Sequence, residues 1–309
     1  MRKILITPRS LTKSGHPELD KLVRAGYELV FSSPGGMPDE DELINLIDDC
    51  SGYLAGIEKI TRKVIESAKK LKVISRNGVG IDNIDVGAAE DHGVKVCVAK
   101  GANARGVAEL TMGLLLSLVR SIPFHNFALK EERWERKKGI EIKNKTLGVI
   151  GCGKIGREVS IMALNLGMNV LAYDIYINKN FKPDKNFKYK SFEEVIRGSD
   201  ILTFHLPGSK DGRPIITDKE IKGMKRGVFI INTARANLID MSAIIKGLEE
   251  KIISGYATDV YLNEPPSGVE LELLKRKDVI ATPHIGGYTE ESIDRATREA
   301  VENLLKYLS

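Results

Sequence analysis

Three side chains of complementary chemistry stand just past apolar runs in the C-terminal half of the chain: Arg235 in IINTARANLID, Glu264 in ATDVYLNEPP and His284 in IATPHIGG. A guanidinium fork suits a carboxylate, and an imidazole exchanges a proton near neutral pH. Those are the two needs of a reaction that moves a hydride at a hydroxyl-bearing carbon next to a carboxylate. In an open parallel sheet the carboxyl ends of the strands line the ligand crevice, so residues at such ends can converge there. The isolated histidines His16, His92 and His125 carry no comparable context and are read as structural.

A second constellation precedes these. The stretch TLGVIGCGKIGREVSIMALNLGMNVLAYD reads as strand, Gly-rich turn, helix, strand and acid, with Gly151, Gly153 and Gly156 at the turn and Asp174 at the end. With glycine at 29 of 309 positions, GxGxxG arises by chance roughly 0.25 times in such a chain, so the context carries the inference. Gly151 allows the tight turn, Gly153 lets the backbone approach a pyrophosphate, and Gly156 permits close helix-sheet packing. Lys154 and Ile155 open the helix whose N-terminus would face the phosphates. Asp174 would accept hydrogen bonds from ribose hydroxyls and repel a 2′-phosphate. Between Asp174 and Pro183 the only cations are Lys179 and Lys182, with no arginine, so the expected cofactor is NAD rather than NADP.

The elements that must position these residues follow from the apolar pattern. Short apolar runs (KILIT, YELVF, GYLAG, KVIS, KVCVA) alternate with helical segments before residue 100, which predicts a parallel sheet covered by helices. A long apolar helical stretch over 103–129, kinked or stopped near Pro123, separates this series from a second. The second series runs through TLGVI, NVLAYD, DILTFHLP, GVFIINTA, GYATDV and DVIATPH. An amphipathic helix near 289–307 has no place in that second series, so the chain end is expected to return to the first domain. The fold class is α/β, with two Rossmann-like doubly wound parallel-sheet domains, the first discontinuous. At 309 residues, with 42% hydrophobic and 29% charged residues, two folded domains are expected.

The same composition bounds partners and compartment. The charge of +5 is mild and interleaved with acids, and KEERWERKK (130–138) is interrupted by three glutamates, so no nucleic-acid partner is expected. No apolar run approaches a membrane span. Cys50, Cys97 and Cys152 are odd in number and lack CxxC spacing, which argues against a disulfide framework or a structural metal and for the cytoplasm.

Together with NGVGIDNID (77–85) and VAEL (107–110), these motifs resemble the D-isomer-specific 2-hydroxyacid dehydrogenase family, nearest its phosphoglycerate dehydrogenase branch, over about residues 50–290. The resemblance implies a substrate domain of residues 1–100 and 283–309, an NAD-binding domain of 101–282, and a homodimer held by the long helical stretch. It implies that His284 is the acid/base, that Glu264 hydrogen-bonds its imidazole, and that Arg235 binds the substrate carboxylate. Backbone amides of Asn77, Gly78, Val79 and Gly80 would cradle the same carboxylate. Asp259 resembles the acid that contacts the nicotinamide carboxamide, and His205, Leu206 and Pro207 the segment under the cofactor. Thr233 and Ala234 would add backbone contacts, and Gly286 and Gly287 would pack close to the nicotinamide ribose.

Substrate identity is less determined. Arg76 and Arg136 resemble phosphate-holding positions, the second reaching across the dimer, which favours 3-phosphoglycerate. The loop after the third strand reads Ala55, Gly56, Ile57 and Glu58 where that branch commonly has an arginine. Arg105 and Gly106 also stand where a small hydroxyl residue is usual. With no segment after Ser309, no serine-sensing module is expected. The alternatives are a glyoxylate or hydroxypyruvate reductase and, in a different class, an NAD(H)-sensing corepressor-like interaction protein.

Overall fold

The computed structural model describes residues 2–209 and 211–309. The chain divides into two compact units, Met1–Asn103 with Gly287–Ser309, and Ala104–Gly286. The first unit is built on five strands: β1 (Arg2–Ile6), β2 (Tyr27–Phe31), β3 (Cys50–Ala55), β4 (Val73–Arg76) and β5 (Lys95–Val98). All pair in parallel in the order β2-β1-β3-β4-β5. The central β3 is buried along its whole length, as expected for a parallel strand covered on both faces.

The helix Glu290–Leu308 packs on this first sheet. Thr289 caps its start, Glu290 and Glu291 lie in the first turn and Lys306 in the last, so both helix ends carry the favoured charge. Its buried face of Ala300, Val301, Leu304 and Leu308 joins Ile4, Ile6, Leu54 and Val73 in one cluster. Each such leucine contributes about 1.5–3 kcal/mol by leaving water. Arg2 and Tyr27 both donate to the carbonyl of Leu308, at 2.7 and 3.2 Å.

The second unit carries seven strands: β6 (Thr146–Ile150), β7 (Asn169–Tyr173), β8 (Phe187–Tyr189), β9 (Ile201–Phe204), β10 (Val228–Asn232), β11 (Ile253–Thr258) and β12 (Val279–Ala281). They form one parallel sheet in the order β8-β7-β6-β9-β10-β11-β12. Strand order reverses at β6, which pairs with β7 on one side and β9 on the other. That reversal makes the carboxyl end of β6 a topological switch point, the place where such sheets bind ligands. The edge strand β8 is three residues long and follows a Lys- and Asn-rich loop, so no periodic signal announces it.

The long apolar stretch breaks near its proline. One helix spans Ala104–Val119 and a second Ile122–Lys130, bent by 65° at Ser121, which adopts the left-handed conformation. Pro123 sits in the first turn of the second helix, where its missing N–H costs nothing and its fixed φ suits the start. Among the described residues no single helix is long and apolar enough to cross a membrane; this bent pair reaches the required length only together.

Candidate functional site

The Gly-rich turn leaves β6 at the switch point. Gly151 has φ 96°, and a Cβ there would lie 2.7 Å from the carbonyl carbon of His205. A Cβ on Gly156 would lie 2.0 Å from the Gly151 carbonyl oxygen, so only glycine lets the helix Lys154–Asn165 approach the strand this closely. Around Gly153, the N-cap, space is open and no side chain caps the helix start. A helix start of this kind, facing open space, is where an anion is held.

Asp174 follows β7 and is tied to this turn. Its Oδ2 accepts from the Cys152 amide at 2.7 Å and its Oδ1 from the Tyr176 amide at 2.8 Å. One bond on each oxygen leaves lone pairs for vicinal hydroxyls. His205 follows β9; Thr203 Oγ1 lies 3.1 Å from its Nε2, while its Nδ1 is buried with no hydrogen-bond partner among the described residues. Burial pushes its pKa down to about 3, so this imidazole is neutral. Leu206, half-buried, and Pro207, exposed, continue the segment. An open helix start, an acid placed for a diol and an orphaned buried nitrogen along one sheet edge fit a dinucleotide.

The neighbouring strand ends carry the other predicted residues. Asn232, fully buried, ends β10 and folds the turn on itself: its Nδ2 donates to the Arg235 carbonyl at 2.9 Å and its Oδ1 accepts from the Ala234 amide at 3.1 Å. Thr233 Oγ1 lies 2.8 Å from Thr111 Oγ1, which ties the turn to the helix Ala104–Val119. Arg235 leaves this turn half-buried and donates through Nη1 to the Ala234 carbonyl at 2.7 Å.

Asp259, 1% exposed at the end of β11, anchors both flanks of His284. Its Oδ1 accepts from Thr282 Oγ1 at 2.6 Å and the Ile285 amide at 2.8 Å, and its Oδ2 from the Gly286 amide at 2.8 Å. Held between these points, His284 adopts φ 53°. Its Nδ1 lies 2.6 Å from Glu264 Oε1, so Nε2 is the nitrogen left to meet a ligand. The hydrogen bond that Nδ1–H donates to Glu264 raises the His284 pKa above its ordinary value; burial opposes this, and the charges of Glu264 and Asp259 add to the rise while Arg235 lowers it.

Other supports escape sequence reasoning. Glu270, 3% exposed, accepts from the Leu262 amide at 2.7 Å and so anchors the loop that presents Glu264. Tyr261 donates to the Thr282 carbonyl at 2.8 Å. Only the buried Asn at the end of the apolar run VFIIN offered a signal, a polar residue where the strand pattern calls for an apolar one. Glu270 lies in a loop-and-helix segment with no comparable cue.

Gly287 and the Asn77–Gly80 loop belong to the first unit. The Asn77 and Gly78 amides are spent internally, on the carbonyls of Ala55 and Arg76 at 2.8 Å each. Those of Val79 and Gly80 carry no hydrogen bond among the described residues. Arg76 ends β4 and donates to the Asn77 carbonyl at 2.7 Å. Arg136 is exposed in the irregular segment 131–145 of the second unit. The histidines read as structural make local contacts: His16 to the Glu18 amide and Asp294, His92 to the Ala88 carbonyl and His125 to the Glu135 carbonyl. Among the described residues no cluster of His, Cys, Asp or Glu has the geometry to hold a metal.

Comparison with known proteins agrees with this geometry. Residues 112–286 match the NAD binding domain of D-isomer specific 2-hydroxyacid dehydrogenases. The chain is 41% identical over 280 residues to the hydroxypyruvate reductase of Thermotoga maritima, a match covering 87% of this chain and 89% of that one. It is 42% identical over 273 residues to the D-3-phosphoglycerate dehydrogenase of Methanocaldococcus jannaschii, covering 87% of this chain but 52% of the relative, so it spans about half the length of that enzyme. The NAD+-bound 3-phosphoglycerate dehydrogenase of Entamoeba histolytica superposes with a TM-score of 0.82 at 30% identity, covering 99% of this chain and 95% of that one.

Proposed function

The chain belongs to the D-isomer specific 2-hydroxyacid dehydrogenase family, an NAD-dependent oxidoreductase acting on a CH–OH group, and from that premise we propose that it interconverts a small D-2-hydroxy acid and its 2-keto acid. The observation that carries this reading is the His284–Glu264 pair, 2.6 Å apart and braced by Asp259, with the Arg235 charge acting on the same imidazole.

Gly151–Gly156 and Asp174, with Lys154, Ile155, His205, Leu206, Pro207, Thr233, Ala234, Asp259 and Gly286, would hold NAD, which would supply the hydride acceptor or donor. Arg235 holds the substrate carboxylate through its fork; the amides of Asn77 and Gly78, already bonded to the carbonyls of Ala55 and Arg76, are not available for that role. His284 Nε2 gives its proton to the keto oxygen in reduction and takes the hydroxyl proton in oxidation. Glu264 keeps Nδ1–H pointed at its carboxylate and stabilises the imidazolium. In this reading the first unit is the substrate domain.

A panel of 2-keto acids, including 3-phosphohydroxypyruvate, hydroxypyruvate and glyoxylate, tests the assignment with both reduced cofactors. NADH oxidation is expected with at least one acid, and NADPH should be at least about tenfold poorer because Asp174 repels a 2′-phosphate. Stable capture of protein partners without any turnover would instead favour the NAD(H)-sensing interaction protein.

The second partner in this reading is another copy of the chain. The helix Ile122–Lys130 exposes Ile122, Phe127 and Leu129, and Trp134 beyond it is 82% exposed. A cavity of about 790 Å³ at the starts of β10 and β12 is lined by Phe124, Phe127, Phe229, Lys137, Lys145 and Lys277. Its apolar floor and basic wall match the neighbouring sequence LKEERWE of a second molecule. Light scattering is expected to give twice the chain mass, and Trp134→Glu to shift it toward the monomer; a wild-type monomer at micromolar concentration would contradict the dimer. Arg133 pairs with Glu135 inside this segment, which fits a protein contact and not nucleic acid. The unpaired Cys50, Cys97 and Cys152 suit a reducing cytoplasm.

A further inference from the structure

The carboxyl edge of the first sheet holds a buried carboxylate that the chemistry above does not use. Glu58 follows β3 and is 2% exposed. Three donors converge on its Oε1: the Tyr53 hydroxyl at 2.7 Å, the Gly56 amide at 2.8 Å and the Thr7 hydroxyl. Such convergence of donors is what an ionised carboxylate satisfies. Burial and the Glu58 charge hold the Tyr53 phenol well above its ordinary pKa, so this donor keeps its proton.

The same phenol feels Arg76, whose charge acts on it in the opposite sense. Arg76 is the register partner of Ala55 across β3 and β4, and the Asn77 amide donates to the Ala55 carbonyl at 2.8 Å. From the far side of that loop, Asn83 Nδ2 donates to the Glu58 carbonyl at 2.6 Å. A fixed negative charge is therefore built into the loop adjoining the one to which carboxylate binding is assigned. A phosphate brings about two negative charges to such a surface, whereas a hydroxyl brings none.

We propose that Glu58 selects substrate by charge: lying in the loop that follows β3, whose last residue Ala55 is the register partner of Arg76, it offsets the cation that would hold a phosphate, so the chain favours a 2-keto acid with an uncharged, hydroxyl-bearing or short tail. This rests on the dehydrogenase reading and names its substrate class. Glu58 does not touch the reacting atoms; it sets which tail is tolerated.

Hydroxypyruvate and 3-phosphohydroxypyruvate differ only in the phosphate, so their kcat/KM ratio with NADH reads the effect. The wild-type ratio is expected to favour hydroxypyruvate by at least about tenfold. Glu58→Gln, which keeps size and an acceptor oxygen, should close the ratio about tenfold, mainly through KM of the phosphorylated acid. Glu58→Asp, which keeps the charge, should preserve the wild-type ratio. Ile57 is exposed, so Ile57→Lys places a compensating cation nearby without disturbing the core, and should shift the ratio the same way if Glu58→Gln fails to fold. A wild-type preference for the phosphorylated acid, or an unchanged ratio in both Glu58→Gln and Ile57→Lys, overturns the inference and leaves the dehydrogenase reading standing. Absence of turnover with every 2-keto acid overturns both.

Discussion

Replacing His284 with asparagine is expected to lower kcat for keto-acid reduction by about 10²–10⁴-fold, the usual contribution of a positioned acid/base, with NADH affinity changed by no more than about twofold. Asparagine is the suitable probe because the residue sits at φ 53°, a left-handed conformation that asparagine tolerates better than alanine. The loop can then keep its Asp259 bonds, which run to Thr282, Ile285 and Gly286 and not to the His284 side chain. Retained turnover in this variant would rule out the acid/base role.

The pH profile follows with a definite sign. Reduction needs the imidazolium, so its kcat/KM should be full below the His284 pKa and fall as pH rises through it; oxidation should show the reverse. Glu264 is the largest influence raising that pKa, while burial and Arg235 lower it. Glu264→Gln should therefore move the alkaline fall of the reductive rate to lower pH. An unmoved midpoint would mean that the 2.6 Å contact does not tune the imidazole.

The second large effect is expected at Arg235. Arg235→Lys keeps the charge but loses the planar fork, and KM for the keto acid should rise about 10–100-fold, the value of one or two charge-assisted hydrogen bonds. The alkaline midpoint should stay where it is, because a cation still faces the imidazole. Arg235→Met removes that cation and should move the midpoint to higher pH, since the Arg235 charge lowers the His284 pKa. Steady-state kinetics across pH separate the two effects. A loss confined to kcat, with KM unchanged, would argue against carboxylate binding by this residue.

Much of the fold and site was legible because it is local. Gly151, Gly153 and Gly156 act within one turn, and Asp174 ends the very next strand, so a 24-residue span, 151–174, contains the whole cofactor signature. Alternating apolar runs specified two parallel sheets, since a strand covered on both faces must be apolar throughout. Where pattern was thin, legibility failed: β8 is three residues of mixed polarity at an edge; the helix break, by contrast, falls at Ser121, near the proline that marks it.

The remainder came from long-range packing. Nothing in the spelling of Asn77–Gly80 tells which amides are consumed, because their acceptors include Ala55, which lies on another strand. The Asp259 bonds to Ile285 and Gly286 span 26 and 27 residues, and the Glu58 cage reaches back 51 residues to Thr7. Arg235, Glu264 and His284 were recognisable as strand-end chemistry from their residue types. Folding set the 2.6 Å contact, the left-handed backbone that aims the imidazole and the direction of its pKa shift, because each depends on distances between segments that a linear pattern does not encode.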